Sequence, residues 1–580
     1  MDSKEVAAVF GEIATILEIK GENPFKARAY ENAARTVEGL GADLEAVVRE
    51  EKLRDYKGIG EALAKKITEL VTTGKLGYYE ELRASVPDGL LEMTGIPGMG
   101  PKKIRAVQEK LGVSTVGELE YACKENRLAV LDGFGAKSQQ KVLEGIELLK
   151  RHHEKHLCST AMDEAARLVA ALESLGPKLI TRLSIAGSLR RRKEIIKDID
   201  IVAGSSKPAK VMDFFTALDG VEDIIAKGKT KSSVRLASGI SSDLRLVPDA
   251  QFPYALLYLT GSKEHNIALR TRAKTKIFKI NEYGLFRGTH KIACKDEAAI
   301  YKKLGLAYIP PELREEMGEI EAAERGKLPT LVEEGDIRGI LHVHSNFSDG
   351  VNTIEQMAAA AKKLGAEYLG IADHSRSAQY ANGLSPERVK AQQKAIDALN
   401  KKLKGIRILK GIEADILPDG KLDYPDKLLA TFDFVIAAVH TRFGMSEAEM
   451  TKRIFAAMRN PHVTMLAHPT GRLLLSREAY AVDMPQIIAE AAKLSVILEI
   501  NANPHRLDLD WRLCKAAKEK GAIFAINPDS HRVEDLTDVR YGVGIARKGW
   551  LEADDVLNTR PLAEAMDLLG ARRRKRGKRQ

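Results

Sequence analysis

The spacing of apolar residues divides the chain into three stretches of different character. Residues 1 to about 150 are predicted to be almost wholly helical, with short glycine-centred turns. From about residue 181, short apolar runs such as LSIAGS, DIDIVAG and SDLRLVP alternate with helical segments, as in a mixed α/β domain. Farther on, apolar runs near residues 340, 370, 410, 436, 465, 498 and 524 predict seven strands separated by helices, hence a barrel-like parallel β/α domain.

The length of the chain agrees with this division. At 580 residues it is too long for a single hydrophobic core, so three or four domains are expected. A charged, acidic stretch around residues 315 to 336, containing Leu328-Pro329, is predicted to link the mixed α/β region to the barrel.

Histidines and carboxylates follow the predicted barrel strands. Apolar runs such as GILHVH, YLGIADH, FDFVIAAVH and VTMLAH each end in histidine, so each strand would deliver a ligand at its C-terminal end, where sites on such barrels form. The four cysteines are scattered without a C-x-x-C pair, so a metal would be held by nitrogen and oxygen atoms. The candidate ligands are His342, His344, Asp349, His374, Glu413, His440, His468, Asp529 and His531. This number exceeds what one tetrahedral ion needs and predicts two or three ions of zinc, manganese or iron.

A second group of carboxylates lies upstream. In IAGSLRRRKEIIKDIDIVAG, alternation along a strand places Asp198 and Asp200 on one face, and Asp243 in SSDLRLVP lies on another strand. Three converging carboxylates can hold two Mg²⁺ ions for in-line phosphoryl transfer. The alternative is that this D-x-D sequence forms an ordinary turn at a strand end.

Three glycine turns in the helical stretch resemble helix-hairpin-helix motifs, which bind the DNA backbone without reading its sequence. Glycine lets backbone N–H groups approach a phosphate, and a helix N-terminus favours negative charge. A single G-x-G is more often only a tight turn, but each of these three is followed by lysines. The glycines concerned are Gly58, Gly60, Gly95, Gly98, Gly100, Gly133 and Gly135.

Charge and hydropathy narrow the class of protein. The formal net charge of +10 suits a polyanionic partner, although its most basic part, the tail at 572–580, can equally be a solvated segment. No apolar stretch is long enough for a membrane span, and the N-terminus lacks the basic start of a signal peptide. A cytoplasmic protein without membrane contact is expected.

These motifs together resemble the family X DNA polymerases, and the complete architecture resembles the bacterial form with a C-terminal polymerase-and-histidinol-phosphatase (PHP) domain. The run DLRLVPDAQFPYALLYLTGSKEHNIALRTRAKTKIFKINEYGLF matches the family's palm-to-thumb segment with its register intact. The resemblance implies a multidomain α/β and α+β fold that ends in a distorted (β/α)7 barrel. The implied domains are a helical DNA-binding domain at 1–85, a fingers-like helix-hairpin-helix domain at 86–150, a nucleotidyltransferase palm at 151–255, a thumb at 256–315, a linker at 316–336, a PHP hydrolase domain at 337–571 and the basic tail at 572–580.

For the polymerase site, the resemblance implies that Asp198, Asp200 and Asp243 bind Mg²⁺ or Mn²⁺, with Asp243 orienting the primer 3′-hydroxyl or accepting its proton. The residues expected to bind the nucleotide are Ser188 and Arg191 at the triphosphate, and Tyr258, Gly261, Asn266 and Arg270 at the sugar, base and template side, with Asn281, Glu282 and Tyr283 supporting the closed site. The chain departs from the family at Leu259, where an aromatic residue is frequent, and at Lys263, which replaces an acidic neighbour of the nucleotide.

The resemblance also raises the possibility of lyase chemistry in the N-terminal domain. Lys66 lies where relatives form a Schiff base with an abasic-site sugar, although Ala62 replaces a basic residue of that pocket. The alternative is that Lys66 contacts phosphate.

For the C-terminal domain, the nine candidate ligands coincide with the full PHP metal set. This implies a manganese-stimulated 3′-5′ exonuclease, with abasic-site endonuclease or 3′-phosphatase activity in some relatives. Arg376 and Arg442 are candidates to hold DNA phosphate. His505 is either a substrate contact or a loop residue, and His462 is expected at the surface.

The expected function is a monomeric repair polymerase that fills short gaps in gapped or nicked DNA from deoxynucleoside triphosphates and trims 3′ ends. Three alternatives remain: a small-molecule phosphatase with a vestigial polymerase, a non-enzymatic DNA-end scaffold, and a template-independent nucleotidyltransferase.

Overall fold

A computed structural model describes residues 3–38, 44–150 and 155–577, without the side chains of residues 148, 150 and 573–577. The chain forms two compact units, Met1–Leu149 and Lys150–Gln580. Among the described residues, no helix is both long and apolar enough to cross a lipid bilayer.

The described part of the first unit is helical, as predicted. Phe10, Ile13 and Leu17 on one face of its first helix are completely buried, and they pack in one apolar cluster with Tyr30 and Ala33 of the second. This is the helical period expected when one face is buried. The helices are α1 (Ser3–Ile19), α2 (Pro24–Glu38), α3 (Leu44–Arg49), α4 (Glu61–Thr73), α5 (Gly77–Ala84), α6 (Asp88–Glu92), α7 (Pro101–Leu111), α8 (Val116–Lys124) and α9 (Ala136–Lys150), with short 3₁₀ turns at Lys52–Asp55 and Met93–Gly95.

The second unit begins with a mixed α/β domain around a five-stranded sheet of order β2-β4-β7-β6-β5. Strands β4 and β7 are parallel, and the other pairs are antiparallel. The elements are β1 (His156–Leu157), α10 (Cys158–Glu173), β2 (Arg182–Ile185), α11 (Gly187–Arg190), β3 (Ile195–Ile196), β4 (Asp198–Gly204), α12 (Pro208–Thr216), β5 (Val221–Lys227), β6 (Lys231–Leu236) and β7 (Ser241–Val247).

A small helical and sheet region follows. Its three strands form an antiparallel sheet of order β10-β9-β8. The elements are α13 (Phe252–Thr260), α14 (Lys263–Thr275), β8 (Lys279–Asn281), β9 (Gly284–Arg287), β10 (His290–Ile292), α15 (Glu297–Lys303), a 3₁₀ turn at Pro311–Leu313 and α16 (Glu319–Glu324).

The segment predicted to be a linker is packed against this region. The Glu319 carboxylate, almost fully buried, lies 2.7 Å from Nδ1 of the buried His265, whose Nε2 lies 2.8 Å from the hydroxyl oxygen of Tyr301. Glu319 also accepts hydrogen bonds from the backbone N–H groups of Glu316 and Met317. This part of the chain is therefore held in place by specific hydrogen bonds.

The C-terminal domain alternates parallel strands with helices. Its strands form sheets of order β11-β12-β13 and β14-β15-β16-β17-β18. Single bridges, His374 with Glu413 and Val343 with Ser530, join the two sheets into a ring. The elements are β11 (Gly339–Val343), α17 (Ile354–Lys363), β12 (Tyr368–Ile371), α18 (Pro386–Lys402), β13 (Arg407–Lys410), β14 (Glu413–Asp415), α19 (Asp426–Leu429), β15 (Ile436–Ala438), α20 (Glu447–Arg459), β16 (Met465–Leu466), α21 (Met484–Leu494), β17 (Ile497–Asn501), α22 (Trp511–Glu519), β18 (Phe524–Asn527), α23 (Val539–Lys548) and α24 (Leu562–Gly577).

One predicted strand is divided in two. The apolar run near residue 410 forms β13, which pairs with β12, and then β14, which pairs with β15. Between them Gly411 lies so close to the ring of Phe434 that a Cβ atom there would come within 2.1 Å of it. The chain changes its pairing partner at this glycine.

The mixed α/β domain packs directly on the barrel. A single apolar cluster extends from Leu168 of α10 to Ile545 of α23. Ion pairs follow the same boundary, with Arg472 Nη2 at 3.6 Å from Glu194 Oε1 and Arg540 Nη2 at 3.6 Å from Asp163 Oδ1.

The basic tail is described only in part. The backbone is helical to Gly577, and the Arg572 guanidinium donates hydrogen bonds to the carbonyl oxygens of Met458 and Val463. Residues 578–580 lie outside the described residues.

Candidate active sites

The three upstream carboxylates lie on neighbouring parallel strands. Asp198 and Asp200 occupy alternate positions of β4, so they share one face of the sheet. Asp200 is directly opposite Asp243 of β7 in the strand register. The alternation predicted from the sequence therefore brings all three side chains to one end of the sheet.

Electrostatics shows that this cluster attracts cations. Burial, followed by repulsion from Asp198 and Asp243, raises the pKa of Asp200 to about 7, and burial and Asp243 raise the pKa of Asp198. Lys231 Nζ, in β6, lies 2.5 Å from Asp243 Oδ2 and neutralises part of this charge. A divalent ion would relieve the remaining repulsion.

The glycine of the Gly187-Ser188 turn is required by the position of Asp200. Gly187 has a φ of +62°, and a Cβ atom there would lie 2.1 Å from Asp200 Oδ2. Any larger residue would push the carboxylate away or change the turn. Ser188 follows Gly187 in the short helix α11.

Arg191 is held by two other parts of the chain. Its Nε lies 3.0 Å from Glu315 Oε1, and its Nη1 donates a 2.5 Å hydrogen bond to the carbonyl oxygen of Thr260. Gly261 follows, joined to Ser262 by a cis peptide bond, and a Cβ at Gly261 would lie 3.2 Å from Arg191 Nη1. Arg191 and Gly261 are therefore neighbours.

Several predicted nucleotide contacts share one pocket. Asn266 Nδ2 donates a 2.8 Å hydrogen bond to the Tyr258 carbonyl oxygen, and Arg270 Nε donates to the carbonyl oxygen of Asn266. Asn281 accepts hydrogen bonds from the backbone of the turn at Tyr283 and Gly284. The pocket is lined by Tyr254, Leu257, Tyr258, Asn266, Leu269, Arg270, Ile280 and Asn281, and Ser188 and Arg191 are not among these residues.

The two departures from the family pattern have different surroundings. Leu259 packs against the apolar cluster formed by Ala186, Val202 and Phe252. Lys263 is exposed at the start of α14.

In the barrel, the predicted ligands converge on Glu413. Its Oε1 lies 3.0 Å from His468 Nε2, 3.2 Å from His440 Nε2 and 3.4 Å from His342 Nε2. Its Oε2 lies 2.9 Å from His374 Nδ1 and 3.7 Å from His344 Nε2. Burial alone would raise the pKa of Glu413, but the surrounding imidazoles hold it well below its usual value.

Eight of the nine predicted ligands fall into three overlapping groups, each with its ligand atoms within 4.8 Å of one another. The ninth, His468, contacts Glu413. Buried atoms of the cluster, among them His342 Nε2, His344 Nδ1 and Asp349 Oδ2, make no hydrogen bond to any described residue, so they fit a set of metal ligands. The groups are His344, Asp349, His374 and His531; His342, His344 and Asp529; and His374, Glu413 and His440.

Sequence reasoning missed the carboxylates that orient these imidazoles. Glu499 in β17 lies 2.6 Å from His342 Nδ1 and accepts a hydrogen bond from the backbone N–H of His468. Asp415 lies 2.5 Å from His440 Nδ1. The available signal was an acidic residue within the apolar run VILEIN and another two positions after Glu413, because a buried charge needs a partner.

Other basic and aromatic residues of the barrel lie outside the three groups of candidate ligands. Arg376 and Arg442 are exposed, and Arg376 lines a groove that also contains Lys421 and Arg459. The Tyr380 ring, also missed, lies 6.2 Å from the ring of His374 and 6.4 Å from that of His440, measured between centroids. His505, in a loop, is only 5% exposed, and His462 is half-buried; neither belongs to the three groups.

In the first unit, the three glycine turns share one conformation. Gly58, Gly98 and Gly133 have φ values between +82° and +97°. Gly60 and Gly100 cap α4 and α7 with extended backbone, and Gly135 directly precedes α9. Five of the glycines have open space where a Cβ would be, so a ligand could approach their backbone; these are Gly60, Gly98, Gly100, Gly133 and Gly135. Gly95, by contrast, faces the Leu149 side chain.

Lys66, the candidate lyase lysine, lies beside an aromatic ring. Its Nζ is 4.8 Å from the centroid of Tyr78, and Lys26 Nζ is 5.4 Å from the same centroid. Tyr78 stacks on Tyr30 at 6.0 Å. Ala62 is exposed on α4.

Family models match four parts of the chain. Family models match a helix-hairpin-helix domain at residues 1–76, a SAM-like helix-hairpin-helix tandem at 90–147, a DNA polymerase beta thumb at 255–315 and a PHP domain at 341–503.

Curated relatives match either the whole chain or one part of it. The DNA polymerase/3′-5′ exonuclease PolX of Bacillus subtilis is 40% identical over 568 residues, covering 97% of this chain and 98% of the relative. DNA polymerase lambda of Arabidopsis thaliana is 24% identical over 54% of this chain and 62% of its own length. A protein named probable phosphatase, from Thermoanaerobacter, is 27% identical over 41% of this chain and 96% of its own length. The chain therefore belongs to the bacterial family X DNA polymerases that carry a C-terminal PHP domain.

Proposed function

We propose that this protein is a DNA-directed DNA polymerase that fills short gaps during repair, and that its PHP domain is a 3′-5′ exonuclease. The observation that supports this most directly is the presence of two separate ligand clusters in one chain: three carboxylates on adjacent palm strands and nine imidazoles and carboxylates in the barrel. The Bacillus relative, named for both activities, aligns along nearly the whole chain.

In the palm, Asp198, Asp200 and Asp243 would hold two Mg²⁺ or Mn²⁺ ions, because their carboxylates already repel one another. Such ions, when bound, neutralise charge on the transferring phosphoryl group. Asp243 would orient the primer 3′-hydroxyl or accept its proton. Ser188 and Arg191 would hold the triphosphate of the incoming deoxynucleotide.

Tyr258, Gly261, Asn266 and Arg270 would contact the sugar, the base and the template side of the new pair. The Asn266 side chain donates a hydrogen bond to the backbone carbonyl of Tyr258, and the Arg270 side chain donates one to the backbone carbonyl of Asn266, so both side chains are positioned before substrate arrives. Such preorganisation lowers the entropic cost of placing the nucleotide for reaction.

In the barrel, the nine side chains would hold two or three ions of zinc, manganese or iron. Such ions lower the pKa of a bound water and neutralise charge on the phosphodiester. Glu413 lies between two sides of the cluster, with one oxygen toward His440 and the other toward His374, so it would hold ions together with imidazoles on both sides. Arg376 and Arg442, both exposed, would contact phosphates of the DNA strand.

The helix-hairpin-helix turns would bind the DNA backbone on either side of the gap. Their open glycine backbones and following lysines suit phosphate without base recognition. Lys66 would either contact a 5′ phosphate or, with its neighbour Tyr78, take part in abasic-site lyase chemistry. The working form is proposed to be a monomer, which light scattering would test.

A second hydrolytic activity is favoured by the phosphatase relatives. The Thermoanaerobacter protein aligns over nearly its whole length with 41% of this chain. We therefore propose that the PHP domain also removes 3′ phosphates or incises abasic sites, using the same ligand cluster.

The test is extension and degradation of a gapped, end-labelled duplex by the full chain. Asp200→Ala should abolish nucleotide addition and spare degradation, and His344→Ala should do the reverse. If both activities disappear in either folded variant, the two sites are not independent. If the wild type with divalent ions neither lengthens nor shortens the primer, the proposal is wrong.

The same assay separates the alternatives. A template-independent nucleotidyltransferase would extend a single-stranded primer as well as a gapped one. A small-molecule phosphatase would hydrolyse a phosphomonoester and ignore DNA, and a scaffold would bind ends without reaction.

A further inference from the structure

A buried group of charges connects the polymerase site with the PHP barrel. Glu315, directly before the predicted linker, lies 3.0 Å from Arg191 Nε and 2.5 Å from Lys548 Nζ, both measured from Oε1. Its Oε2 lies 3.4 Å from Lys193 Nζ. The ammonium of Lys548, at the end of α23, also donates a 3.0 Å hydrogen bond to the carbonyl oxygen of Arg191.

Lys548 is the member of this group that comes from the barrel. Its side chain is completely buried, and its ammonium lies 4.5 Å from the centroid of the Trp511 ring. Burial lowers the pKa of Lys548 to about 8, although Glu315 opposes that shift. Burying an ammonium is costly unless it is paired, so this lysine depends on Glu315 and on the Arg191 carbonyl.

The contacts of Glu315 determine how strongly the Arg191 guanidinium is bound within the protein and how available it is to a ligand. Arg191 donates hydrogen bonds from Nε to the Glu315 carboxylate and from Nη1 to the carbonyl oxygen of Thr260. The rest of its guanidinium remains for a ligand. Lys548 competes with Arg191 for the same carboxylate oxygen of Glu315. Without Lys548, that oxygen would attract Arg191 more strongly, and a triphosphate would have to compete with a stronger ion pair.

We propose that Lys548 is a positioning residue of the polymerase, which acts through Glu315 to keep Arg191 available to the triphosphate. The barrel is then part of the nucleotide-binding apparatus as well as a separate hydrolase. The inference depends on the proposed function, because it takes Arg191 as a ligand of the nucleotide.

The test is steady-state gap filling by the full chain with Lys548→Met and Lys548→Gln. Both should raise the KM for the deoxynucleotide about tenfold and change kcat less than about twofold, since the chemistry at the carboxylates is untouched. The exonuclease rate should not change. The matched control is Arg547→Met, because Arg547 pairs with Glu312 at 2.8 Å on the same boundary but does not contact Arg191.

Repeating the Lys548→Met substitution in a Glu315→Gln variant separates a positioning role of Lys548 from a general loss of packing. In Glu315→Gln, the attraction that Lys548 offsets is removed, so adding Lys548→Met should change the KM less than about twofold. A loss of packing would act equally in both backgrounds and in Arg547→Met. The proposal is overturned if both Lys548 variants leave the KM unchanged, if Arg547→Met raises it equally, or if the increase persists with Glu315→Gln.

Arg191→Met tests the role of Arg191 separately from the role of Lys548. If it leaves the KM unchanged, the proposed role of Arg191 fails, and the role of Lys548 fails with it. If it raises the KM while the Lys548 variants do not, the inference about Lys548 fails alone.

Discussion

The palm carboxylates and the barrel cluster differ in how their charge is balanced. In the palm, three carboxylates face one another with Lys231 as a nearby cation, and the Asp243 side chain is 23% exposed. In the barrel, imidazoles surround each ligand carboxylate, and no ligand side chain is more than 6% exposed. In the first cluster the carboxylates repel one another and are balanced in part by Lys231, whereas in the second each carboxylate is enclosed by imidazoles.

This difference predicts different metal behaviour. Ions at an open carboxylate site exchange readily and can arrive with the nucleotide, as is common for Mg²⁺. Ions within a closed set of imidazoles and carboxylates are expected to stay with the protein through purification. Variants of either cluster test whether that contrast is real.

The largest effect is expected for Glu413→Gln. An amide cannot bridge cations as a carboxylate does, and Glu413 contacts imidazoles through both oxygens. Exonuclease activity should fall by a factor on the order of 10² to 10³, and the metal content of the purified protein should fall with it, while gap filling is unchanged. The measurements are metal analysis and degradation of labelled DNA.

The control for Glu413→Gln is Asp419→Asn, which neutralises an exposed carboxylate of the same domain. Full metal content in Glu413→Gln would contradict the proposed role of this residue as a metal ligand. Loss of gap filling would contradict the separation of the two clusters.

The second prediction concerns the palm. Gly187→Ala would place a methyl group 2.1 Å from Asp200 Oδ2, so the carboxylate must move. A displacement of this kind costs on the order of a hundredfold in polymerisation rate. Exonuclease activity should persist.

Gly176→Ala is the matched control for Gly187→Ala. Gly176 has a similar φ of +72° but open space around the added Cβ, so this variant carries the backbone strain without a clash. Equal losses in the two variants would mean that strain, and not the position of Asp200, limits the reaction.

Much of this contrast could be predicted from sequence. Strand alternation predicted that Asp198 and Asp200 share a face, and the apolar runs ending in histidine predicted where His374, His440 and His468 lie. These features depend on local periodicity. The nucleotide contacts came instead from the resemblance to a family.

What sequence could not predict depends on long-range contacts. The division of the strand near residue 410 follows from Gly411 meeting Phe434, and the orientation of His342 follows from Glu499, which is 157 positions away in the chain. The ties of Arg191 to Glu315 and Lys548 are of the same kind. No local pattern reports which distant residues will meet.

The third prediction concerns the carboxylates behind the metal ligands. Glu499→Gln would present an amide donor to a site that accepts hydrogen bonds from His342, from the backbone of His468 and from Asn527. Loss of such an orienting carboxylate typically costs tenfold to a hundredfold in metal affinity. Competition with a chelator, followed by the remaining exonuclease rate, measures it.

Glu367→Gln, at an exposed ion pair with Arg338, is the control for Glu499→Gln. If Glu499→Gln binds metal as tightly as the wild type, then the imidazoles hold their orientation by packing alone.

The smallest effect is expected at Lys231. Its ammonium lies 2.5 Å from Asp243 Oδ2, in the position of a competing cation, and the pair is partly exposed. Lys231→Met should therefore lower the Mg²⁺ concentration that half-saturates gap filling by about two- to fivefold, in keeping with the modest strength of exposed ion pairs. The measurement is a Mg²⁺ titration at saturating nucleotide and DNA. Lys227→Met removes a similar pair between the neighbouring strand β5 and Asp213 of α12, so it controls for the loss of one positive charge from this domain. Lys231 does not balance the charge of the palm cluster if Lys231→Met leaves the half-saturating Mg²⁺ concentration unchanged, or if Lys227→Met changes it equally. The palm and barrel clusters would then differ only in how exposed their side chains are to solvent.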